Sequence, residues 1–117
     1  MDAAEYIDRV NREEIVALAS RLIAIPSPSG SERLVMEDVV RWCQKNGLDY
    51  VITSSDPERP NVVISTGGNG TGPILAMNGH LDTVPVSDAS AWSTGPYEPT
   101  VTPDGRKLVG RGASDMK

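Results

Sequence analysis

Apolar residues recur at helical spacing in two stretches of the first half of the chain. The first stripe, which predicts an amphipathic helix, consists of Ile15, Leu18, Ala19, Leu22 and Ile23. Asn11 stands before this stripe as a candidate N-cap, and Pro26 and Pro28 follow it as stop signals. A second helix is predicted from about residue 32 to residue 46, with Gly47 as its C-terminal stop.

After residue 47 the pattern changes to short runs that are rich in β-branched residues and lack helical spacing. Residues 48–53 and 61–66 are predicted to be strands, and residues 73–78 a third strand after a glycine-rich turn at residues 67–72. The apolar runs in the second and third of these strands are continuous rather than alternating. Continuous runs indicate strands that are covered on both faces, as in α/β folds.

A shorter pair of strands is predicted further along the chain. Residues 100–102 and 107–109 flank the turn sequence Pro103-Asp104-Gly105, a combination typical of a short hairpin. Two helices followed by a mainly β segment with this hairpin predict an α/β fold, with residues 1–117 forming one layered unit.

Composition and charge narrow the classes of function. The net charge of −5 and the lack of any basic run longer than two residues argue against a nucleic-acid or polybasic membrane partner. The apolar stretches are far shorter than a membrane span, and the first residues lack the basic start and apolar core of a signal peptide. The expected location is therefore the cytoplasm, in a soluble protein.

The single cysteine, Cys43, excludes an internal disulfide and a zinc site built from cysteines. It lies on the apolar stripe of the second predicted helix, together with Met36, Val39 and Val40. We interpret it as a core residue, and a reactive thiol is the alternative.

The first candidate for chemistry follows the third predicted strand. His80 is the only histidine of the chain, and Asp82 stands two residues after it. In an extended segment residues i and i+2 point to the same side, so both side chains can face one site. One imidazole nitrogen could then bind a metal while the other donates a hydrogen bond to a carboxylate that fixes its tautomer.

This pair alone leaves other interpretations open. A single histidine at the end of a strand is commonly a hydrogen-bonded surface residue and not a metal ligand. A serine triad built on His80 and Asp82 lacks support, because the chain has no Gly-x-Ser-x-Gly motif to supply an activated nucleophile.

A second candidate segment has the sequence Gly110-Arg111-Gly112-Ala113-Ser114-Asp115-Met116-Lys117. Its two glycines allow an unusual backbone path that can bring Asp115 into a site. One carboxylate can bridge two cations roughly 3.5–4 Å apart, as two-metal hydrolases require. The alternative is a glycine-rich turn before a helix, with Ser114 or Asp115 as N-cap. A dinucleotide-binding fingerprint fails, because Asp115 replaces its third glycine.

Together the two segments resemble a known family. Gly79-His80-Leu81-Asp82-Thr83-Val84-Pro85 and residues 110–117 look like the two N-terminal signatures of the di-zinc peptidases and deacylases. This family includes acetylornithine deacetylase, succinyl-diaminopimelate desuccinylase, aminoacylase and glutamate carboxypeptidase. The order and separation of the signatures, the intervening segment with Trp92 and the early loop at residues 25–32 also resemble the family, so the resemblance extends over nearly the whole chain.

Carried over to this chain, the resemblance implies a role for three side chains. His80 would ligate one zinc ion, Asp115 would bridge two zinc ions, and Asp82 would act in catalysis as the partner that orients His80. Cobalt is an alternative metal. The peptide bond between Asp115 and Met116 would be cis.

The resemblance also implies what lies outside these residues. The family's general base and one further ligand belong to a Glu-Glu pair later in the chain, whereas the only such pair here, Glu13-Glu14, lies in the first helix. We therefore expect residues 1–117 to be the N-terminal portion of a three-layer zinc-peptidase-like catalytic domain. This portion would lack the family's dimerisation domain and would be inactive alone.

The activity expected of the whole protein is hydrolysis of the amide bond of an N-acyl amino acid, of the deacetylase or desuccinylase type, by a homodimer. A dipeptidase, tripeptidase or carboxypeptidase of the same family is the alternative within this chemistry. From another class, a non-catalytic truncated binding module remains open. A downstream Glu-Glu pair and a late histidine in the extended reading frame would favour the enzyme.

Overall fold

The computed structural model describes residues 2–68 and 70–117. Its helices are α1 (Ala3–Ile7), α2 (Arg12–Ile23) and α3 (Arg33–Lys45), with a single-turn 3₁₀ helix at Ala89–Ala91. Its strands are β1 (Asp49–Thr53), β2 (Asn61–Ser65), β3 (Thr100–Val101) and β4 (Leu108–Val109). Helices and strands occur together, which confirms the predicted α/β class. None of the helices in these two ranges has the length and apolar character needed to span a bilayer.

Helix α2 begins where the sequence predicts. The side-chain oxygen of Asn11 accepts hydrogen bonds from the backbone N–H groups of Glu13 and Glu14, at 3.0 and 3.2 Å. These two acidic side chains also complement the positive end of the helix dipole. The helix ends at Ile23, shortly before Pro26, so the prediction is confirmed at both ends.

Helix α3 confirms the second predicted helix to within one residue at each end. Gly47 has a φ of +64°, a left-handed conformation that suits glycine. The N–H groups of Gly47 and Leu48 donate to the carbonyls of Gln44 and Cys43, the bond pattern of a glycine-terminated helix. Cys43 is fully buried, as predicted for a core residue, and burial raises the pKa of its thiol.

Helix α1 was not predicted from the sequence. Its five residues are too few to form a periodic apolar stripe, and none of them is buried. A capping box starts this helix: the N–H of Glu5 donates to the Asp2 side chain at 3.0 Å, and the N–H of Asp2 donates to the Glu5 side chain at 2.7 Å.

The packing of α3 organises the N-terminal half of the fold. This helix packs against both β1 and β2. An ion pair joins it to α2, because Arg21 Nε lies 2.7 Å from Asp38 Oδ2 while Arg21 Nη2 donates to Asp38 Oδ1 at 2.9 Å. This two-point contact to a nearly buried carboxylate fixes how the two helices approach each other. The buried apolar side chains among the described residues are Leu22, Ile23, Val35 and Cys43.

Strands β1 and β2 form an antiparallel pair, with Asp49 opposite Ser65 and Thr53 opposite Asn61. The prediction that the second strand, β2, is covered on both faces is wrong. Between 41% and 61% of each of four apolar residues remains exposed on the pair, namely Val51, Ile52, Val63 and Ile64. The reason is that α3 packs against this pair, while the described part of the chain supplies no second layer to cover it.

The predicted third strand at residues 73–78 is also wrong. Residues 73–78 belong to no helix or strand, and Ile74, Leu75 and Met77 are 94%, 84% and 89% exposed. A strand needs a neighbour to pair its N–H and C=O groups, and no other described segment forms a ladder with this one. Asn69, in the predicted turn before this segment, lies outside the described residues.

Strands β3 and β4 pair antiparallel, with Thr100 opposite Val109, which confirms the predicted hairpin. Gly105 in the connecting turn has a φ of +69°, and its N–H donates to the carbonyl of Thr102 at 2.7 Å. The hairpin leads directly into the segment that contains Asp115.

Candidate metal centre

The first signature (residues 79–85) is fastened to the loop between α2 and α3. Thr83 forms an isolated parallel bridge with Pro28. The N–H of Thr83 donates to the carbonyl of Ser27 at 2.9 Å, and the carbonyl of Thr83 accepts the N–H of Ser29 at 3.2 Å. Because Ser27 and Thr83 are buried, this attachment fixes the backbone from which the candidate side chains project.

The second signature (residues 110–117) is fastened to the end of α2. Gly110 approaches Ile23 so closely that a Cβ at this glycine would lie 2.4 Å from the Ile23 Cγ2 atom. The ammonium group of Lys117 donates to the carbonyl of Leu22 at 2.9 Å, and burial lowers the pKa of Lys117 to about 8. These contacts bring the turn that carries Asp115 against the helix.

The structure brings the three predicted site residues together. The Nδ1 atom of His80 lies 3.1 Å from Asp82 Oδ1 and 3.0 Å from the Asp82 carbonyl oxygen. The Nε2 atom of His80 lies 3.1 Å from Oδ1 of Asp115, which is 35 positions away in the sequence. The side chains of His80, Asp82 and Asp115 are 48%, 32% and 80% exposed, so the cluster faces solvent.

The members of this cluster change each other's affinity for protons. The carbonyl of Asp82, followed by the carboxylates of Asp115 and Asp82, raises the pKa of His80 above its ordinary value of 6.5. The hydroxyl of Ser29, followed by the positive charge of His80, lowers the pKa of Asp82. Both shifts favour a charged imidazole beside charged carboxylates.

The contact between His80 Nε2 and Asp115 is compatible with two chemical states. In the doubly protonated imidazole, each ring nitrogen donates to a carboxylate. In the neutral imidazole with its proton on Nδ1, the Nε2 lone pair faces the Asp115 oxygen, and a cation bound by both atoms would stabilise this arrangement. Of the two neutral tautomers, Asp82 favours the one with its proton on Nδ1, because Asp82 accepts that proton.

The donor atoms suit a metal ion, although they do not complete a metal site. Zinc binds imidazole nitrogen and carboxylate oxygen at about 2.0–2.2 Å, so two such ligands at a tetrahedral angle lie roughly 3.3 Å apart. The distance of 3.1 Å between His80 Nε2 and Asp115 Oδ1 is close to this value. Within residues 2–68 and 70–117, no group of three or more His, Cys, Asp or Glu side chains is arranged to hold a metal ion.

An open cleft of about 490 Å³ lies beside His80 and Asp82. Its wall includes Arg59 and the buried Glu32, whose charged groups are 3.0 Å apart. Burial raises the pKa of Glu32, but the N–H of Gly30 and the Arg59 guanidinium outweigh burial, and the net pKa is lowered. Sequence reasoning did not find this pair, because residues so far apart in the chain leave no local pattern.

Two further details change the expectations from the sequence. None of the described peptide bonds is cis, so the expectation of a cis bond between Asp115 and Met116 is wrong. Ser29, which sequence reasoning placed only in a loop, donates its hydroxyl hydrogen to Asp82 Oδ2. The resemblance of that loop to the family was the sole sequence signal that pointed to this residue.

Comparison with known proteins finds a family whose sequence pattern this chain matches. The sequence pattern of peptidase family M20/M25/M40 matches residues 76–117, which contain both signatures. The chain is 33% identical over 117 residues to N-formyl-4-amino-5-aminomethyl-2-methylpyrimidine deformylase of Halalkalibacterium halodurans, covering 96% of the chain and 27% of that protein. It is also similar to two succinyl-diaminopimelate desuccinylases. The protein of Buchnera aphidicola subsp. Baizongia pistaciae is 33% identical over 107 residues (88% of the chain, 26% of that protein), and that of Cereibacter sphaeroides 35% over 102 residues (87% and 26%).

These matches confirm the resemblance that was predicted from the sequence: the chain is similar to peptidase family M20/M25/M40 and to deacylases named as its relatives. The matched segment includes His80, Asp82 and Asp115. The similarity to the relatives also covers most of the residues before that segment. The chain spans about a quarter of the length of the curated relatives that it matches.

Proposed function

We propose that these residues belong to the catalytic domain of a metal-dependent hydrolase that cleaves the amide bond of N-acyl amino acids. The observation that carries the proposal is the position of His80 between Asp82 and Asp115, inside the segment that matches the family. The names of the relatives, a deformylase and two desuccinylases, support hydrolysis of an acyl amide.

Each of the three residues has a separate part in this proposal. His80 Nε2 and the carboxylate of Asp115 hold the metal, and Asp82 keeps the proton of His80 on Nδ1 so that Nε2 presents its lone pair. When bound, the metal supplies an acidic water molecule and a Lewis acid for the scissile carbonyl. The cleft beside His80 receives the acyl amino acid. The general base lies outside these residues.

Further assignments follow the same resemblance. We propose zinc as the metal with cobalt as a substitute, a homodimer as the whole protein, and the cytoplasm as its location. We also propose that residues 1–117 are the N-terminal portion of the catalytic domain. Metal analysis and light scattering of the polypeptide encoded by the complete reading frame test the metal and the dimer.

The test of the activity uses that same polypeptide, purified with its metal content measured. We expect release of free amine from N-succinyl, N-acetyl or N-formyl amino acids. We expect His80→Ala to lose both bound metal and turnover. Asp8→Asn alters an exposed carboxylate at the end of α1 and serves as the matched control, which keeps both.

The outcomes separate the alternatives. Turnover of dipeptides in place of acyl amino acids would assign a peptidase of the same family. Absence of turnover on every substrate, with the fold intact, would favour a non-catalytic binding module. Full activity in His80→Ala would overturn the assigned site.

A second experiment uses residues 1–117 alone. We expect no measurable amide hydrolysis, even with added zinc, because zinc in catalysis usually has three protein ligands. The described residues direct one imidazole and one carboxylate at the proposed metal. General acid–base catalysis typically contributes about 100- to 10,000-fold, and the base is assigned outside these residues. Turnover that disappears in a His80→Ala control would show that the catalytic apparatus has been placed wrongly.

A further inference from the structure

The carboxylate of Asp82 makes a different contact with each of its two oxygens. Oδ1 lies 3.1 Å from His80 Nδ1, and Oδ2 accepts a hydrogen bond from the hydroxyl of Ser29. A carboxylate that is engaged at both oxygens cannot rotate about its Cβ–Cγ bond without breaking one contact. The two contacts therefore define the plane of this carboxylate.

The backbone of Ser29 is fixed by hydrogen bonds of its own N–H group and of the N–H group of the following residue. Its own N–H donates to the carbonyl of Thr83 at 3.2 Å. The N–H of the next residue, Gly30, donates to the buried carboxylate of Glu32 at 3.0 Å, and Arg59 pairs with that carboxylate at 3.0 Å. The hydroxyl of Ser29 therefore projects from a backbone that is fixed before and after it.

The two serines of this loop have different parts. Ser27 is buried, and its hydroxyl donates to the carbonyl of Leu81 at 2.6 Å, so its side chain ties the loop to the backbone of the first signature. Ser29 is exposed, and its hydroxyl contacts the side chain of Asp82. The side chain of Ser29 can therefore be changed with little effect on packing, whereas that of Ser27 cannot.

We infer that Ser29 is a positioning residue of the site: its hydroxyl fixes the carboxylate of Asp82, which in turn fixes the His80 ring with Nε2 toward Asp115. The inference rests on the proposed function for the identity of the ligand that Nε2 meets. The contacts that carry it are independent of that ligand. The Ser29 hydroxyl is also the foremost cause of the lowered pKa of Asp82, as expected for a donor to an ionised carboxylate.

The first test compares Ser29→Thr with Ser29→Val in the metal-free 117-residue chain, because these side chains have nearly the same shape and differ by the hydroxyl. His80 is the only histidine, so its Cε1–H group gives a single NMR signal whose ¹³C relaxation reports how ordered the ring is. We expect the order parameter of Ser29→Thr to equal that of the wild type and that of Ser29→Val to fall. Ser31→Val, a change in the same loop, is the control and should leave it unchanged.

The second test measures cobalt affinity in the polypeptide encoded by the complete reading frame, followed by visible absorption. We expect Ser29→Val to bind cobalt up to about tenfold more weakly, the lower end of the range for partners of metal ligands. Ser29→Thr should bind like the wild type, and thermal unfolding of the metal-free variants should coincide.

The outcomes distinguish this inference from the proposed function. A wild type that binds no cobalt contradicts the proposed metal site, and the ring-order comparison alone then decides the part of Ser29. Equal ring order in Ser29→Thr and Ser29→Val overturns the positioning role, whether both variants match the wild type or both fall below it. Equal cobalt affinity in the two variants overturns it as well, while the metal site stands.

Discussion

The two signatures that meet at His80 are held in different ways. The first is bonded to the loop after α2 through the backbone of Thr83 and the hydroxyl of Ser29, so the imidazole and its partner carboxylate are fixed together. The second signature is anchored to the C-terminal end of α2 by its first and last residues, Gly110 and Lys117. Between these two anchors, the side chain of Asp115 is 80% exposed and contacts the fixed imidazole.

For the proposed metal site, this difference separates what the protein orders in advance from what a bound cation would have to order. The ring of His80 already has the orientation that a ligand needs. The exposed carboxylate of Asp115 would still have to give up its rotational freedom on binding a cation. Changes at Asp82 should therefore weaken the proposed metal site through orientation, whereas changes at Asp115, like those at His80, should remove a ligand outright.

The largest effect is expected for Asp115→Ala in the polypeptide of the complete reading frame. Metal affinity and hydrolysis should fall by more than about 100-fold, the upper end of the effect of partners that only orient a ligand. Stability should change by less than about 0.5 kcal/mol, because the side chain is exposed. Cobalt titration and thermal unfolding measure the two quantities, and a variant with unchanged metal content would contradict the proposed role of Asp115 as a metal ligand.

Asp82→Ala is expected to have the next largest effect. Activity and metal affinity should fall about 10- to 100-fold, because the imidazole loses the group that orients it. Asp82→Asn keeps the shape and one acceptor oxygen, so it should fall between this variant and the wild type. Wild-type turnover in Asp82→Ala, with full metal content, would count decisively against the role of Asp82.

Gly110→Ala tests the anchor of the second signature. The added methyl group would lie 2.4 Å from Ile23 Cγ2, and overpacking of this kind typically costs about 1–3 kcal/mol. Urea unfolding of the 117-residue chain measures the loss. Gly68→Ala is the matched control, because a Cβ there meets no atom within 4 Å. Equal stability of the two variants would show that the turn can move away from α2.

The smallest effect concerns pH. The Asp82 carbonyl and then the two carboxylates raise the pKa of His80, so the charged imidazole stabilises the folded metal-free chain. This contribution is complete at pH values below the ordinary pKa of 6.5 and is lost as the pH rises through the higher pKa of the folded state. Urea midpoints measured from acid to alkaline pH should show the decline. Asp115→Asn should make the decline smaller, and an identical profile would contradict the ion pair.

Local signals were sufficient to predict α2 and α3, although not the five-residue helix α1. Asn11 before a stripe of apolar residues and Gly47 after the next one mark the ends of α2 and α3 because caps act within one turn. Residues 73–78 show where this reasoning fails. Their apolar run is as continuous as that of β2, but pairing depends on a neighbouring strand, which a local pattern does not reveal.

In the candidate site, too, some features follow from local sequence patterns and others depend on contacts between distant segments. That His80 and Asp82 face one side follows from their spacing in an extended segment. Nothing local places Asp115 beside His80, and only the resemblance of the two signatures to one family predicted that contact. The hydroxyl of Ser29 and the Glu32–Arg59 pair reach the site through tertiary contacts, which no local pattern in the sequence reveals.

The exposed apolar run at residues 73–78 has a consequence for handling the protein. An unpaired, uncharged apolar segment of this length is a template for edge-to-edge pairing between copies, so the chain should become colloidally unstable as its concentration rises. A single charged substitution such as Leu75→Lys, at a side chain that is 84% exposed, should act as a gatekeeper and extend the concentration range in which the chain stays monodisperse.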